Sequence, residues 1–305
     1  PIRRVKIRSM FNSKIELKMN LSKIAFSLFF IFYFSIVNAQ DDLFKELDTD
    51  TISKKEIETA AFKGLQVCTM QSTKLASKGE WYFIVAHRFG DLTEGFDNFF
   101  GFDNANSKIG GLYGATEWLT VGFSRHTLNK NYEFTAKYKF ANQEVNGFPV
   151  TIVGYNTMDI NSQLSEDEFP LLKTSNRFAF STQLPISRKF SNSLSMELNP
   201  IYIHKNLYEP MFEESDDFLL ALGGRYKLSK RISLNMEYTF RLNARETSLY
   251  HNPATIGLDI ETGGHVFQLV FSNSQAMNDI TYFTNATGIT DGKGIYFGFN
   301  LYRVF

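Results

Sequence analysis

The stretch "RISLNMEYTFRL" runs from Arg231 to Leu242, and in it Ile232, Leu234, Met236, Tyr238, Phe240 and Leu242 alternate with Ser233, Asn235, Glu237, Thr239 and Arg241. Successive side chains of a β-strand point to opposite faces, so this segment has one apolar flank and one polar flank. The stretch from Asn131 to Phe140 repeats the design, setting Tyr132, Phe134, Ala136, Tyr138 and Phe140 against Glu133, Thr135, Lys137 and Lys139. Leu194, Met196 and Leu198 stand likewise against Ser193, Ser195, Glu197 and Asn199. A soluble sandwich and a membrane barrel share this pattern, but length separates them. Strands of soluble domains average ~5–6 residues, whereas a tilted membrane crossing takes ~9–11. The longer runs here predict strands whose apolar flank meets lipid and whose polar flank lines a lumen.

Working outward, such runs separated by turn residues recur at 79–89, 107–114, 118–127, 131–140, 148–159, 176–184, 192–204, 217–228, 231–242, 265–272, 278–286 and 293–305. That spacing predicts an all-β fold: a single antiparallel transmembrane β-barrel of about 12 strands, closed because lipid does not tolerate an open sheet edge. Links 115–117, 185–191 and 229–230 are short, and links 90–106, 160–175, 205–216 and 243–264 are long. Short periplasmic turns and long outer loops alternate in this way in outer-membrane barrels.

The N-terminal region reads as three parts. The only continuously apolar run, Ile24 to Val37, is 14 residues long, short of the ~20 that a spanning helix needs. With Lys23 before it and Val37, Asn38 and Ala39 after it, the run reads as a secretory signal cleaved before Gln40. Residues 1–39 are therefore assigned to upstream sequence and signal peptide, 40–61 to a periplasmic arm and 62–305 to the barrel. Residues 41–58 are charge-rich and read as a mobile arm, or alternatively as a lumen plug, and the arm offers a surface to a periplasmic partner. The run 62–71 resembles an extra strand, expected to pair at the periplasmic rim or to enter the barrel from within.

Composition excludes several classes. Lys plus Arg and Asp plus Glu both count 32, so net charge points to neither nucleic acid nor an acidic lipid surface. The lone Cys68 excludes an internal disulfide and the multi-cysteine metal motifs. No cofactor is implied.

The chain ends "GIYFGFNLYRVF", and the expectation is a terminal strand that closes the barrel against the first, with Phe297, Phe299, Leu301 and Phe305 toward lipid. Arg303 on that flank can snorkel at the membrane edge. The strand resembles the C-terminal signal read by the outer-membrane barrel assembly machinery, although Arg303 stands at the third-last position, where a hydrophobic residue is usual.

Several motifs together, "KGEWYFIVAHRFGD" from Lys78, "FFGFDNANSKIGGLYGATEWLTVGFSR" from Phe99, "AKYKF" from Ala136, "GGHVFQLVFSNSQAM" from Gly263 and the terminal strand, resemble a β-barrel family of Bacteroidota-type outer membranes classed as a domain of unknown function. The resemblance spans residues 62–305 and implies the outer membrane of a Gram-negative bacterium, its lipid, and a barrel architecture. It implies no activity.

Four groups of residues could carry chemistry. The inward charges Glu133, Lys137, Lys139, Glu197, Arg225, Lys227, Glu237 and Arg241 are of both signs, and they either line a solute path or cross-pair and close the lumen. Asp97, Asn98, Asp103 and Asn104 sit in an outer loop, where loop-stabilising turns explain them better than Ca²⁺ does, since their spacing is not that of an EF-hand. In "HRFGD", His87 to Asp91, turn chemistry at a strand end competes with an anion contact. Ser124 and His126 are neighbours on one strand face, but their order and spacing do not match the outer-membrane phospholipase pattern, in which His precedes Ser and an Asn orients it. The leading expectation is a narrow channel or transporter for small solutes. A closed structural or partner-binding barrel is the first alternative, and an outer-membrane hydrolase the second; an enzyme is not expected.

Overall fold

The computed structural model describes residues 56–167, 169–262, 265–288 and 293–305. Signal peptide, upstream residues and most of the expected arm lie outside these residues. Thirteen strands form one sheet: β1 (Trp81–Asp91), β2 (Ala105–Gly114), β3 (Leu119–His126), β4 (Asn131–Ala141), β5 (Thr151–Asn161), β6 (Phe178–Gln183), β7 (Ile186–Lys189), β8 (Leu194–Lys205), β9 (Asp216–Lys227), β10 (Ile232–Arg241), β11 (Ala254–Thr262), β12 (His265–Ser272) and β13 (Tyr296–Val304). β6 and β7 are two halves of one crossing, both lying between β5 and β8. Pro185, which has no N–H to give the ladder, marks the break between them. Twelve crossings result, each antiparallel to its neighbours. β4 pairs with β5, and β13 pairs with β1 through contacts such as Val85↔Leu301, so the sheet closes into a barrel with no free edge.

The strand count matches the sequence expectation, but two members trade places. Residues 278–286, expected as a strand, hold the helix α1 (Asp279–Thr284). Ile280, Tyr282 and Phe283 are all buried there, a pattern that strict alternation cannot produce because no side of this segment meets lipid. The missing crossing is β11, inside the expected long loop 243–264, where Ile256, Leu258 and Ile260 do alternate with Thr255, Gly257 and Asp259. Link 185–191 is likewise shorter than expected, because β7 occupies most of it.

The two flanks of the strands divide as their chemistry dictates. On β10, Ser233, Asn235, Glu237 and Thr239 are buried inside, while Met236 and Phe240 are exposed outside. Phe83, Ile109, Phe123, Phe134, Phe218 and Phe271 continue the outward apolar surface on other strands. No second sheet covers it among the described residues. So large an apolar surface suits acyl chains and not water. Near the short-turn end Trp81 stacks on Tyr113 with ring centroids 4.5 Å apart, and Arg303 lies 4.6 Å over the Phe305 ring. On β13, Phe297, Phe299 and Leu301 are half-buried on the outer flank, with Asn300 and Tyr302 buried inside. Among the described residues no helix is long and apolar enough to cross a membrane.

Candidate functional site: a lumen filled from both ends

The chain enters the barrel before it builds the wall. At the short-turn rim, Glu58 N–H donates to Gln143 O over 2.9 Å and Val145 N–H to Glu56 O over 2.9 Å, a small annex to the β4–β5 link. Lys189 Nζ donates to Glu58 Oε1 at 2.9 Å, and this contact holds the Glu58 carboxyl below the usual carboxylate range. Residues 61–77 then run into the lumen and back. Val67 N–H donates to Met70 O at 2.8 Å and Ser72 N–H to Leu65 O at 3.1 Å, which closes a tight hairpin with Cys68 and Thr69 at its tip. The expected extra strand at 62–71 is thus the first arm of a plug. Of the two placements considered for it, rim pairing belongs to residues 56–58 and the lumen to the run itself.

A hairpin tip presents backbone N–H groups that need acceptors once water is excluded. Glu237 on β10 supplies them. Its Oε2 accepts from Cys68 N–H at 2.9 Å and Met70 N–H at 3.0 Å, and its Oε1 from Thr69 N–H at 2.9 Å. Carbonyls are matched in the same way. Gln268 Nε2 donates to Val67 O at 2.7 Å, Asn300 Nδ2 to Cys68 O at 2.8 Å, and Lys137 Nζ to Leu65 O at 2.8 Å and Ser72 O at 3.0 Å. Thr73 N–H donates to Glu197 Oε2 at 3.1 Å, and Ala76 N–H to Thr120 Oγ1 at 3.0 Å. Together with Arg88, which donates from β1 to Thr69 Oγ1 at 3.4 Å, these contacts tie the hairpin to strands all round the wall.

The second insert is α1, from the long link between β12 and β13. Gln183 Nε2 donates to Asp279 Oδ2 at 2.6 Å, Asn278 Nδ2 to Asp159 Oδ2 at 2.6 Å and Tyr282 OH to Glu237 Oε1 at 2.8 Å. Phe62, Val67 and Met70 of the hairpin, Ile280, Tyr282 and Phe283 of α1, and Ile201, Ile203, Leu219 and Ala221 of the wall form one apolar cluster inside the barrel. The wall leaves room for side chains of the hairpin. A Cβ on Gly223 would stand 2.4 Å from Met70 Cε, and one on Gly257 would stand 2.7 Å from Cys68 Sγ.

Of the expected lumen residues, Glu133, Lys137, Glu197, Arg225 and Glu237 are buried inside, and Lys139, Lys227 and Arg241 are partly buried. Several have partners on neighbouring strands or links. Lys108 Nζ lies 2.7 Å from Glu133 Oε2, Arg225 lies 3.0 Å from Glu261, and Arg241 donates to Tyr250 O at 2.9 Å. Lys108, Gln268 and Asn300 belong with these residues but were not among the candidates, and Arg88, considered only within "HRFGD", belongs here too. Their inward placement on alternating strands was the signal available for them.

The remaining candidates separate. Ser124 Oγ lies 3.0 Å from His126 Nε2 and donates to Glu133 Oε2 at 2.7 Å. Glu133 meets the same Nε2 at 3.4 Å while His126 Nδ1 has no partner, so no carboxylate orients the ring from its far side. Free space beside them is about 20 Å³. In the outer loop, Asn98 is buried, accepting from Gly101 N–H at 2.6 Å and donating to Asp91 O at 2.9 Å, whereas Asp97, Asp103 and Asn104 are exposed. Asn98 thus works as a turn residue. In "HRFGD", Asp91 caps the following turn by accepting from Thr93 N–H at 2.9 Å. Arg88 points inward and donates to Asn300 Oδ1 at 2.9 Å.

Among solved structures the chain is similar to the KdgM porin, with a TM-score of 0.47 and 10% identity over 73% of this chain and 99% of that one. The NanC porin is comparable, at 0.45 and 9% over 73% and 98%. A mutant porin of Rh. blastica reaches 0.32 and 10% over 66% and 55%. No curated protein sequence matches the chain. The family "Membrane bound beta barrel domain (DUF5777)" matches residues 62–305, from the first arm of the hairpin to the terminal Phe, and the chain belongs to that family.

Proposed function

We propose that the protein is a sealed outer-membrane β-barrel that acts as a structural or partner-binding element at its two ends. The observation that carries this reading is the fit between wall and plug. Ile201, Ile203, Leu219 and Ala221 face inward, where an aqueous path would gain nothing from them, and they pack on Phe62, Val67, Met70 and Phe283. Inward glycines 223 and 257 leave room for the side chains of Met70 and Cys68. Outer-membrane location is supported by the signal-like leader and by the split between short and long links. The C-terminal strand would engage the assembly machinery, and the arm before residue 62 would face the periplasm and any partner there. Catalysis is no part of the proposal.

Purified protein in planar bilayers tests the reading: the full chain should stay electrically silent. The second reading is a narrow channel or transporter for small solutes with the hairpin as its gate. It is favoured by the polar, mixed-sign wall around Lys137 and Glu197, which hydrogen-bonds to the hairpin. Steady single-channel current from the full chain would establish that reading and remove the first.

A further inference from the structure

At the long-loop end a cavity of about 240 Å³ opens between the wall and α1. Its lining is rich in amides: Asn129, Asn131, Asn161, Asn176, Asn278 and Asn285. Each carboxamide offers both donors and an acceptor, the same duality that a hydroxyl group has. Leu164, Ala179, Leu207 and Ile280 add apolar surface to the wall. At the bottom sits Asp159, only 3% exposed. Its Oδ2 accepts from Asn131 at 2.8 Å and Asn278 at 2.6 Å, but its Oδ1 has no partner. A buried carboxylate oxygen requires a donor, and the space beside it is several times what one water needs.

The charges at the cavity decide what kind of donor fits. Arg177 and Lys205 balance Asp159 and Glu213, and both cations are already engaged. Arg177 Nη1 donates to Leu164 O at 2.6 Å, and Lys205 Nζ lies 3.1 Å from Asp217 and 3.7 Å from Glu213. With two carboxylates facing two cations, the lining offers no net charge to an anion. We propose that this cavity binds a neutral polyhydroxylated ligand, one sugar ring in size, with a ligand hydroxyl donating to Asp159 Oδ1, the amides of Asn129 and Asn161 meeting further hydroxyls, and ring C–H groups lying on Leu207 and Ile280. The site goes beyond the sealed-barrel reading and stands whether or not the lumen conducts, because it opens at the long-loop end and is floored by α1.

The test is ligand-observed saturation-transfer NMR on the full chain in detergent micelles, with glucose, galactose, mannose and N-acetylglucosamine as probes and glucuronate and Ca²⁺ as comparators. At least one neutral sugar should bind. Ala179→Leu, which fills the cavity from β6, should weaken that binding at least tenfold, and Leu207→Arg at the exposed rim should weaken it as well, while both variants keep the heat-dependent gel shift of a folded barrel. If Ala179→Leu fails to fold, Leu207→Arg alone decides. Absence of binding by every neutral sugar, unchanged affinity in the folded variants, or binding of glucuronate or Ca²⁺ in place of the neutral sugars would overturn the proposal.

Discussion

Tyr282 donates its hydroxyl hydrogen to Glu237 across 2.8 Å, and the same carboxylate accepts three backbone N–H groups from the tip of the hairpin. One side chain of β10 therefore anchors two inserts that reach it from opposite ends of the barrel. Four donors converge on a group that the lumen otherwise shields from water, and the closed state is stabilised or lost at this point.

Glu237→Ala should loosen both inserts while leaving the wall closed. Removing a buried charge's only partner costs ~3–5 kcal/mol, and the four orphaned donors here are a comparable loss. Tyr282→Phe removes one bond and should cost about 1 kcal/mol. Limited proteolysis should cut Glu237→Ala within residues 61–77 and spare the wild type, with both proteins showing the gel shift of a folded barrel.

Gly257→Val should displace the hairpin by overpacking, since its Cβ would stand 2.7 Å from Cys68 Sγ. Such insertions cost ~1–3 kcal/mol. Gly224→Ala, on the outer flank with nothing closer than Ser195 O at 3.9 Å, should be neutral. Urea midpoints of the two variants, with proteolysis of the hairpin as the second readout, check the difference.

Lys108 and Glu133 form a buried pair at 2.7 Å, with their side chains 7% and 1% exposed. Glu133→Gln alone should cost ~3–5 kcal/mol because it leaves a buried ammonium unpaired. Lys108→Met combined with Glu133→Gln should recover part of that loss. The double-mutant cycle, read from unfolding midpoints, gives the coupling.

At the rim, the pKa of Glu58 is depressed by its contact with Lys189. A depressed carboxyl stabilises the folded contact above its unfolded value of ~4.3 and loses that contribution as pH falls through the folded value. Exchange at the amides of Glu58 and Val145, corrected for intrinsic rates, should therefore stay constant from neutral pH down to about 5 and rise below about 4. Glu58→Gln should abolish this transition.

Barrel and closure were legible in the sequence because alternation survives wherever one flank meets lipid and the other does not, as along β10 and β13. The plug was harder to read for the same physical reason. Most of residues 61–77 and 279–284 are enclosed by the wall, so Phe62, Val67 and Met70, or Ile280, Tyr282 and Phe283, carry no contrast between flanks. The β-branched and aromatic residues of α1 then read as strand, and its fate was decided by tertiary packing. Glu197 and Glu237 were identified as inward charges, but they meet backbone N–H groups of the hairpin, which no side-chain pattern reveals. The same holds for Gly223 and Gly257, whose meaning depends on what stands opposite.

Cys68, the only cysteine of the chain, sits at the hairpin tip with 0% exposure and reports on the seal directly. Protein folded in lipid vesicles should react with a small charged methanethiosulfonate on the order of a hundredfold more slowly than urea-unfolded protein, since reaction must wait for the hairpin to open. Glu237→Ala should remove most of that protection. Labelling of the folded wild type as fast as that of the unfolded chain would mean that water and solutes reach the tip of the hairpin, and the account of a sealed lumen would be wrong.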